Sequence, residues 1–427
     1  MKKISTIPQT HYALDNSAII HLAVMRKRYT NTFRLTATLT ESVHSEILQK
    51  AVDNVTPQFP TIVAGIRRRL FQYEIVSSEV PPTVQQQAEI LGSMTSAEIA
   101  YCAIRVLYCD RQISIECFHS LTDGYGGRVF LNALLVEYFR LLQTGNGYFT
   151  EPIPKREIDP AEWKNDFLTY AGKKSCAANH RRVYRLPQAG TSNGIVHVTT
   201  GVCHEQELLD TAHSFDVSAT VFLTAVMFEA IMKLQGNHVR DGHTKRPIQI
   251  MIPINLRKRF ASKTVRNFSL YALPCLTQTC PPMSFRTIVE QVAKQMLEQI
   301  STTNLSAMMA TNVRTQSLMG FQILPLPVKN FVLRIIYHFY GKRNSCLSIS
   351  NLGEISCPEM MQGNIQKFDF LLTPRSDAPY NCGVVSYENQ LTINFTRKCE
   401  KMELEQIFFQ CLRAKGCTVR IISDESC

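Results

Sequence analysis

The sequence predicts an α/β protein made of two lobes of comparable kind. Segments of alternating apolar and polar residues, which are typical of half-buried strands, recur along the 427 residues. Segments with apolar residues at helical spacing lie between them. The apolar pattern fades from about 145 to 185, where prolines are frequent, and then resumes. We therefore expect two lobes joined by a crossing linker.

The predicted boundaries place the first lobe at residues 1–155, the linker at 156–185 and the second lobe at 186–427. A chain of this length that is 45% hydrophobic can bury two sizeable cores. The predicted strands are 32–40, two within 103–118 around a turn at Asp110 and Arg111, 248–255, 346–353 and 390–397. The predicted helices are 42–56 with Ser42 as N-cap, a segment from Gly127 to Gly145, 219–236 capped by Ser218, and 400–416.

No opening segment has the pattern of a secretory signal, and charge or proline interrupts each apolar stretch before the ~20 residues that a membrane span needs. Residues 321–341 come nearest, but they contain Lys329 and Arg334, which favours a buried or partly exposed helix. The 14 cysteines form no CxxC pair. Scattered cysteines of this kind are typical of reduced thiols, so we expect a cytoplasmic protein without a metal centre.

The formal net charge is +11. Such a balance can attract nucleic acid, an anionic membrane or a phosphorylated small ligand. The basic residues occur in short clusters at 26–28, 67–69 and 257–260, each of which is also typical of a solvated surface. They are not interleaved with aromatic residues on one face, so a nucleic-acid partner is not expected.

The segment "HSLTDGYGG" at 119–127 gives the clearest indication of a catalytic site. His119 continues the buried face of the strand before it, and Asp123 follows in the turn. Gly124, Gly126 and Gly127 allow a sharp turn into the next helix. A histidine held at a strand end beside a tight turn is suited to proton transfer near neutral pH.

This segment allows two other interpretations. His119 and Asp123 could both bind zinc, but no second histidine or cysteine lies nearby at metal-ligand spacing. The glycines could form a phosphate-binding loop, but their order matches neither GxGxxG nor GxxxxGK[ST].

"HSLTDG" resembles the HxxxDG motif of the chloramphenicol acetyltransferase-like superfamily. That group includes peptide-synthetase condensation domains, plant BAHD acyltransferases, mycobacterial polyketide-associated acyltransferases and alcohol O-acetyltransferases. "NTFRLTATL" at 31–39, "PINLRKRF" at 253–260 with "RNFS" at 266–269, and "SISNLG" at 348–353 are similar to further segments of the superfamily. The resemblance covers nearly the whole chain. It implies two lobes, each a mixed sheet with flanking helices, and a channel between them.

Two differences from the motifs of other members indicate which branch of the superfamily the sequence resembles most. Phe118 stands where condensation domains usually carry a second histidine, and "FDFLLTPRSDAP" at 368–379 does not match the DFGWG signature of the plant enzymes. The resemblance is therefore strongest to the bacterial alcohol O-acetyltransferase-like branch.

The resemblance also implies residue roles. His119 would act as general base in the channel, and Asp123 would turn away from it to pair with Arg257 of the second lobe. Gly124 would shape the turn. Ser350 would donate to the oxyanion, and Asn267 would line the channel.

By the same resemblance the donor is an acyl thioester of coenzyme A, used as a co-substrate with no bound cofactor, and the acceptor is a small or lipid alcohol. Lys258 and Arg259, together with Lys263 and Arg266, are predicted near the donor entrance. A monomer is expected, because one chain supplies both lobes. The alternatives are a condensation-like N-acyltransferase that takes its donor from a carrier protein, and a non-catalytic carrier-docking module of the same fold.

Overall fold

The structure, a computed structural model, describes residues 10–15, 18–25, 29–145, 159–173, 182–187, 195–238, 246–279, 281–317, 323–337, 344–375 and 378–423. Within these ranges the α-helices are α1 (Ile19–Val24), α2 (Ser45–Val55), α3 (Ser96–Tyr101), α4 (Gly124–Gly145), α5 (Asp166–Tyr170), α6 (Glu205–His213), α7 (Ala219–His238), α8 (Arg257–Phe260), α9 (Phe285–Gln299), α10 (Thr302–Ser317), α11 (Leu326–Ile336) and α12 (Glu403–Arg413).

The strands of the same ranges are β1 (His11–Ala13), β2 (Thr32–Leu39), β3 (Ala64–Arg68), β4 (Tyr73–Ser77), β5 (Gln85–Gln86), β6 (Ile104–Cys109), β7 (Gln112–Phe118), β8 (His197–His204), β9 (Ile248–Asn255), β10 (Ser269–Ala272), β11 (Cys275–Leu276), β12 (Leu347–Glu354), β13 (Ile365–Leu372), β14 (Tyr380–Tyr387), β15 (Gln390–Arg397) and β16 (Val419–Ser423).

The first-lobe sheet has the described strand order β13-β2-β7-β6-β5. Its only parallel pair is β5 with β6 among the described strands. Apolar residues alternate along β2, and Phe33, Leu35, Ala37 and Leu39 enter one core with side chains of α2 and α4. Every residue of β2 is buried, but only alternate residues enter this apolar core, which explains why the alternating pattern predicted the strand correctly.

The second-lobe sheet has the described order β10-β9-β12-β14-β15-β8-β16, with β11 also paired to β9. β12 runs parallel to both β9 and β14, whereas β14, β15 and β8 pair antiparallel. Residues of α7, α9 and α12 form one apolar core with this sheet. Both lobes therefore have mixed sheets flanked by helices, as the fold class predicted.

A third sheet, with the described order β1-β4-β3, is not predicted by the sequence. Its strands are only three to five residues long, too short for an alternating pattern to stand out. It packs with α1 and α3 in a small apolar cluster beside the first lobe.

One strand crosses the predicted lobe boundary. β13 belongs by position to 186–427, but it pairs antiparallel with β2 from Leu39 to Phe33 and thus completes the first-lobe sheet. Phe368 and Phe370 of β13 lie in the first-lobe core. The predicted boundaries remain a prediction for the rest of the chain, and residues 156–158 and 174–181 of the predicted linker lie outside the described residues.

Two helix starts differ from the predictions. Ser42 does not cap α2; the N-cap is His44, and the Ser42 hydroxyl instead donates to Asp110 Oδ1 at 3.0 Å. α4 begins at Gly124 rather than after Gly127, because Asp123 Oδ1 accepts the N–H of Gly126 and starts the helix there.

One described helix, α7, is long and apolar enough to cross a membrane by length and composition. In the structure 67% of its 18-residue apolar window, Ala219–Gly236, is buried inside the protein. It is the central helix of the second-lobe core, which accounts for an apolar surface on all sides.

Candidate active site

His119 lies between the end of β7 and the start of α4. Its backbone N–H donates to the carbonyl oxygen of Asn31 at 2.8 Å, so the chain before β2 fixes the end of β7. The imidazole meets the buried ring of Phe33 edge to face, with ring centroids 5.5 Å apart. The residue is only half-buried, so part of it is exposed to solvent.

Asn267, from the second lobe, holds the His119 ring in one tautomer. Asn267 Nδ2 donates to the backbone oxygen of His119 at 2.6 Å. Its Oδ1, which can only accept, lies 3.2 Å from Nδ1 of the imidazole. Nδ1 therefore carries the proton, and the lone pair of a neutral His119 is on Nε2. Asn267 was predicted to line the channel, whereas its contacts in the structure position the base.

Asp123 is buried and turned away from His119, as predicted. Its Oδ2 accepts from Arg257 Nη1 at 2.8 Å and from the backbone N–H of Phe268 at 2.9 Å. Its Oδ1 accepts from the N–H of Gly126 at 3.2 Å. One carboxylate thus ties the turn after His119 to two points of the second lobe.

Arg257 is also buried, with only 5% of its surface exposed. Its Nε donates to the Thr264 oxygen at 2.6 Å, and Nη2 donates to the Arg266 oxygen. The guanidinium carbon lies 4.4 Å from the centroid of the Tyr125 ring. The predicted pairing of Asp123 with Arg257 is present in the structure.

Glycine is required in this turn because the second lobe approaches the backbone closely. A Cβ at Gly126 would lie 2.0 Å from the carbonyl oxygen of Val265. That same oxygen accepts the Thr122 hydroxyl at 2.6 Å, a further contact between the lobes. At Gly124 a Cβ would lie 3.1 Å from Leu352 Cδ1, so β12 also borders the turn.

A second histidine, His21 of α1, faces the site and was missed from the sequence. Its ring centroid lies 5.0 Å from that of His119. Asn31 Nδ2 donates to His21 Nδ1 at 2.7 Å, which leaves the His21 proton on Nε2. Burial, and secondarily the nearby His119, lower the pKa of His21 to about 3, so this ring stays neutral. No motif around His21 signals it, because the contact arises only when α1 folds over β7.

Ser350 lies on β12, opposite Gly383 of β14. It is two residues before Leu352, the side chain that borders Gly124, and alternate residues of a strand share a face. Ser350 therefore faces the space beside the His119 turn. Among the described residues its hydroxyl has no hydrogen-bond partner, so it is available to a ligand.

Of the four predicted donor-entrance cations, Lys258 and Arg259 are exposed on α8. Lys263 is exposed and its Nζ lies 2.8 Å from Asp159 Oδ2. Arg266 does not fit the prediction: it is 3% exposed and its Nη2 lies 2.8 Å from Oδ1 of the buried Asp15. Because its guanidinium is engaged in this buried ion pair, Arg266 cannot bind a phosphate.

A cavity of ≈ 460 Å³ opens in the second lobe next to these residues. Its polar lining includes Ser218 and Thr220 at the start of α7, and Asn351 of β12, which points to the opposite face of that strand from Ser350. Asn255 also lines it, and its Oδ1 accepts from Arg257 Nη1 at 3.1 Å. The rest is mostly apolar and comes from β9, α7 and α9. The cavity is therefore contiguous with the groups that hold the His119 turn.

No group of three or more metal-ligating side chains gathers anywhere in the described part of the chain. The cysteines that the structure describes are free thiols.

No family model matches the sequence, and no curated protein matches it either. Solved structures do match over nearly the whole chain. Fusarium sporotrichioides TRI101, complexed with coenzyme A and T-2, has a TM-score of 0.64 at 8% identity, with 96% of this chain and 99% of that one covered. TRI3, a trichothecene 15-O-acetyltransferase from the same fungus, has a TM-score of 0.58 at 12% identity, with 95% of each chain covered.

A third match is the epimerization domain from the third module of tyrocidine synthetase B. Its TM-score is 0.59 at 11% identity, with 96% of this chain and 97% of that one covered. These structures share the fold of the chloramphenicol acetyltransferase-like and condensation-domain proteins, so the predicted fold is confirmed. Identities this low show the fold alone, and the reaction must be inferred from the site.

Proposed function

We propose that this protein is an O-acyltransferase that moves an acyl group from a coenzyme A thioester to an alcohol. The observation that supports this most directly is the fixed tautomer of His119. Asn267 Oδ1 accepts the Nδ1 proton, and this leaves Nε2 as a base on the open side of the ring. A neutral imidazole held in one orientation is suited to removing the proton of a hydroxyl as that hydroxyl attacks.

In the proposed reaction, His119 Nε2 takes the proton of the acceptor hydroxyl while its oxygen attacks the thioester carbonyl. The carbonyl electrons move to oxygen and form a tetrahedral intermediate. When the C–S bond breaks, the thiolate accepts the proton from His119, and an ester and a free thiol are released. A thiol has a pKa of about 8.5 and leaves readily, so a covalent enzyme intermediate is not needed.

Two neutral donors are proposed for the oxyanion. The Ser350 hydroxyl faces the His119 turn and has no partner among the described residues. The Nε2–H of His21 belongs to a ring only 5.0 Å from His119, centroid to centroid. A neutral donor does not raise the cost of protonating His119, and preorganised donors of this kind stabilise developing negative charge.

For the donor we propose the second-lobe cavity as the site of the thioester arm. A mostly apolar wall with a few amide and hydroxyl groups suits an amphipathic chain that contains amide bonds. Lys258 and Arg259 are exposed nearby on α8 and are proposed to meet the phosphates.

The test measures thiol release from a panel of acyl-coenzyme A donors mixed with small and lipid alcohols. His119→Ala should abolish turnover with little change in the melting temperature, since its ring faces the open side of the site. His204→Ala is the matched control, because His204 is exposed at the start of α6 and far in sequence from the motif. A fully active His119→Ala protein would refute the proposal.

The same panel separates the alternatives. Turnover with amines and a carrier-protein thioester, but not with alcohols and coenzyme A thioesters, would indicate the N-acyltransferase. Donor binding without any turnover would indicate a docking module. We further propose a cytoplasmic protein, because the described cysteines are free thiols, and a monomer, because Asn267 and Arg257 complete the His119 site from the same chain. Activity confined to a larger species in sedimentation would contradict the monomer.

A further inference from the structure

Half of the large apolar side chains that are exposed in the described structure gather at one surface. Ile323 is 74% exposed, Leu70 68% and Phe331 64%. We name as the α11 patch the six exposed residues Leu70, Phe71, Ile323, Val328, Phe331 and Ile335. A cluster of exposed apolar side chains is unusual on a soluble surface and marks a site of interaction.

The patch is one surface, although its members are far apart in sequence. The β3–β4 turn carries Leu70 and Phe71, and α11 is hydrogen-bonded to that turn. The backbone N–H of Leu326 donates to the Leu70 oxygen at 3.0 Å, and Lys329 Nζ donates to the Phe71 oxygen at 2.7 Å. Asn330 Nδ2 adds a bond to the Tyr73 hydroxyl at 2.7 Å.

α11 presents apolar residues on two sides. Leu326 and Leu333 are buried toward the protein. Val328, Phe331 and Ile335 are exposed, and their spacing places them along one outer face of the helix. An apolar stripe on the outer face is not needed for the core, since the inner face already anchors the helix.

Basic residues flank the apolar residues of the patch along the chain. Arg67, Arg68 and Arg69 precede Leu70 directly, and Lys329 and Arg334 lie on α11. Segments 62–73 and 323–337 contain no aspartate or glutamate. Arg69 Nε lies 2.9 Å from Glu74 Oε2, whereas Arg67 and Arg68 are exposed.

We propose that the α11 patch docks the protein on an anionic membrane surface. Exposed leucine, isoleucine and phenylalanine side chains can enter the boundary between headgroups and acyl chains, while arginine and lysine remain among the phosphates. Each basic residue near an anionic leaflet adds to the attraction. The basic residues beside the apolar side chains, with no acidic residue in segments 62–73 and 323–337, complement an anionic lipid surface.

The patch lies close to the candidate site through α1. Helix α11 packs against α1, and α1 carries His21 beside His119. Docking through the α11 patch would therefore bring α1, and with it this side of the site, toward the bilayer. The membrane proposal does not depend on the acyl-transfer proposal, since it concerns binding alone.

The test is co-sedimentation of the full chain with vesicles of phosphatidylcholine alone and of phosphatidylcholine with 30% phosphatidylserine. We expect binding to the anionic vesicles, at least tenfold weaker in Phe331→Ser with Leu70→Ser and unchanged in Leu168→Ser. Leu168 is 59% exposed on α5 and lies outside both the patch and the second-lobe cavity, so it is the matched control. Melting temperatures of all variants show whether each one is folded.

A charge variant gives an independent readout. Arg67→Glu with Arg68→Glu should lose anionic-vesicle binding by a similar factor, and raised salt should weaken binding of the natural protein. A Phe331→Trp reporter should be quenched by vesicles containing brominated acyl chains, because the side chain enters the bilayer. Absence of binding to anionic vesicles, or binding that none of the patch variants weakens, would overturn the proposal and leave a protein partner as the occupant to seek.

Discussion

Two buried arginine–carboxylate pairs join the first lobe to the same stretch of the second, and they are built differently. In the first, Asp123 meets Arg257 at 2.8 Å and also accepts two backbone N–H groups. In the second, both carboxylate oxygens of Asp15 face Arg266, at 2.8 and 3.2 Å, and no backbone N–H of the described residues donates to them. Burial raises the pKa of Asp15 to about 6, although Arg266 opposes the rise.

The difference shows why two similar pairs can have different uses. Backbone N–H groups stabilise the charged carboxylate of Asp123 and attach it to the turn that carries His119. Arg266 also donates to the backbone oxygens of Ala13 and Trp163, so the Asp15 pair holds the N-terminal segment. We therefore expect the first pair to control both stability and activity, and the second to control mainly stability.

The largest effect is expected from breaking the first pair. Asp123→Ala leaves a buried Arg257 without its carboxylate, which should cost about 3–5 kcal/mol of unfolding free energy. Activity should fall with it, because the turn after His119 loses its anchor. Arg257→Ala should do the same, and thermal melting with the thiol-release assay measures both.

The double variant sharpens this test. If the two residues act as one unit, Asp123→Ala with Arg257→Ala should be little worse than either single variant, a coupling that a double-mutant cycle measures. Strictly additive losses would show that they are not energetic partners.

Breaking the Asp15–Arg266 pair should lower the unfolding free energy less and should leave turnover nearly unchanged. Asp15→Ala should lower the unfolding free energy by about 3 kcal/mol, the lower end of the range for a broken buried pair, because its carboxylate is already poorly stabilised. The turnover number of the folded fraction should stay within about twofold, since Asp15 hydrogen-bonds Arg266 and interacts with Asp123 and Arg257 only through longer-range electrostatics. A loss of turnover as large as that of Asp123→Ala would contradict the distinction between the pairs.

A smaller effect is expected from replacing Gly126, where the two lobes approach each other closely beside the Asp123–Arg257 pair. Gly126→Ala should destabilise the protein by about 1–3 kcal/mol, because its Cβ would collide with the Val265 oxygen. Gly236→Ala in α7 is the matched control, since a Cβ there meets nothing within 4 Å and alanine favours a helix. Thermal melting compares them. Equal melting temperatures for the two variants would show that the backbone can move apart at Gly126 without cost.

The smallest effect is the pH dependence that His21 contributes. Its pKa is about 3 when folded and near 6.5 in the unfolded chain, so the unfolded state binds the extra proton as pH falls. The part of the unfolding free energy that neutral His21 contributes is thus present above pH 6.5 and lost on acidification. Between pH 7 and 5.5 the natural protein should lose about 1 kcal/mol more than His21→Phe does. Denaturant melts at the two pH values, in reductant, measure this, and parallel losses would place His21 in contact with water.

The sequence predicted the elements whose burial repeats regularly. Strands β9 and β15 were predicted with their observed bounds, β2 ends one residue before its predicted end, and β6 and β7 lie within the predicted 103–118, because alternate residues face a core. The His119 turn was also predictable, since its glycines and its aspartate act within a few residues of one another. Arg257 was found only through the resemblance, because its partner lies in the other lobe.

Other features depend on contacts between residues far apart in sequence, which no local sequence pattern indicates. Arg266 was assigned to a surface because it lies in a basic run, yet the buried Asp15 draws it inside. His21 stands in a short helix with no motif, and Asn31 brings it to His119 from a loop. Ser42 met the rule for a helix cap, but the neighbouring turn at Asp110 offered its hydroxyl a better partner.

The strand that crosses between the lobes has a consequence for how the protein is made. During synthesis β2 and β7 leave the ribosome early, but the partner for the outer edge of β2 is β13, which emerges only after most of the chain. An open strand edge is prone to pair with other chains until its partner arrives. The first lobe therefore cannot finish folding as a nascent domain, and it depends on slow pairing of distant segments or on a chaperone that covers the edge.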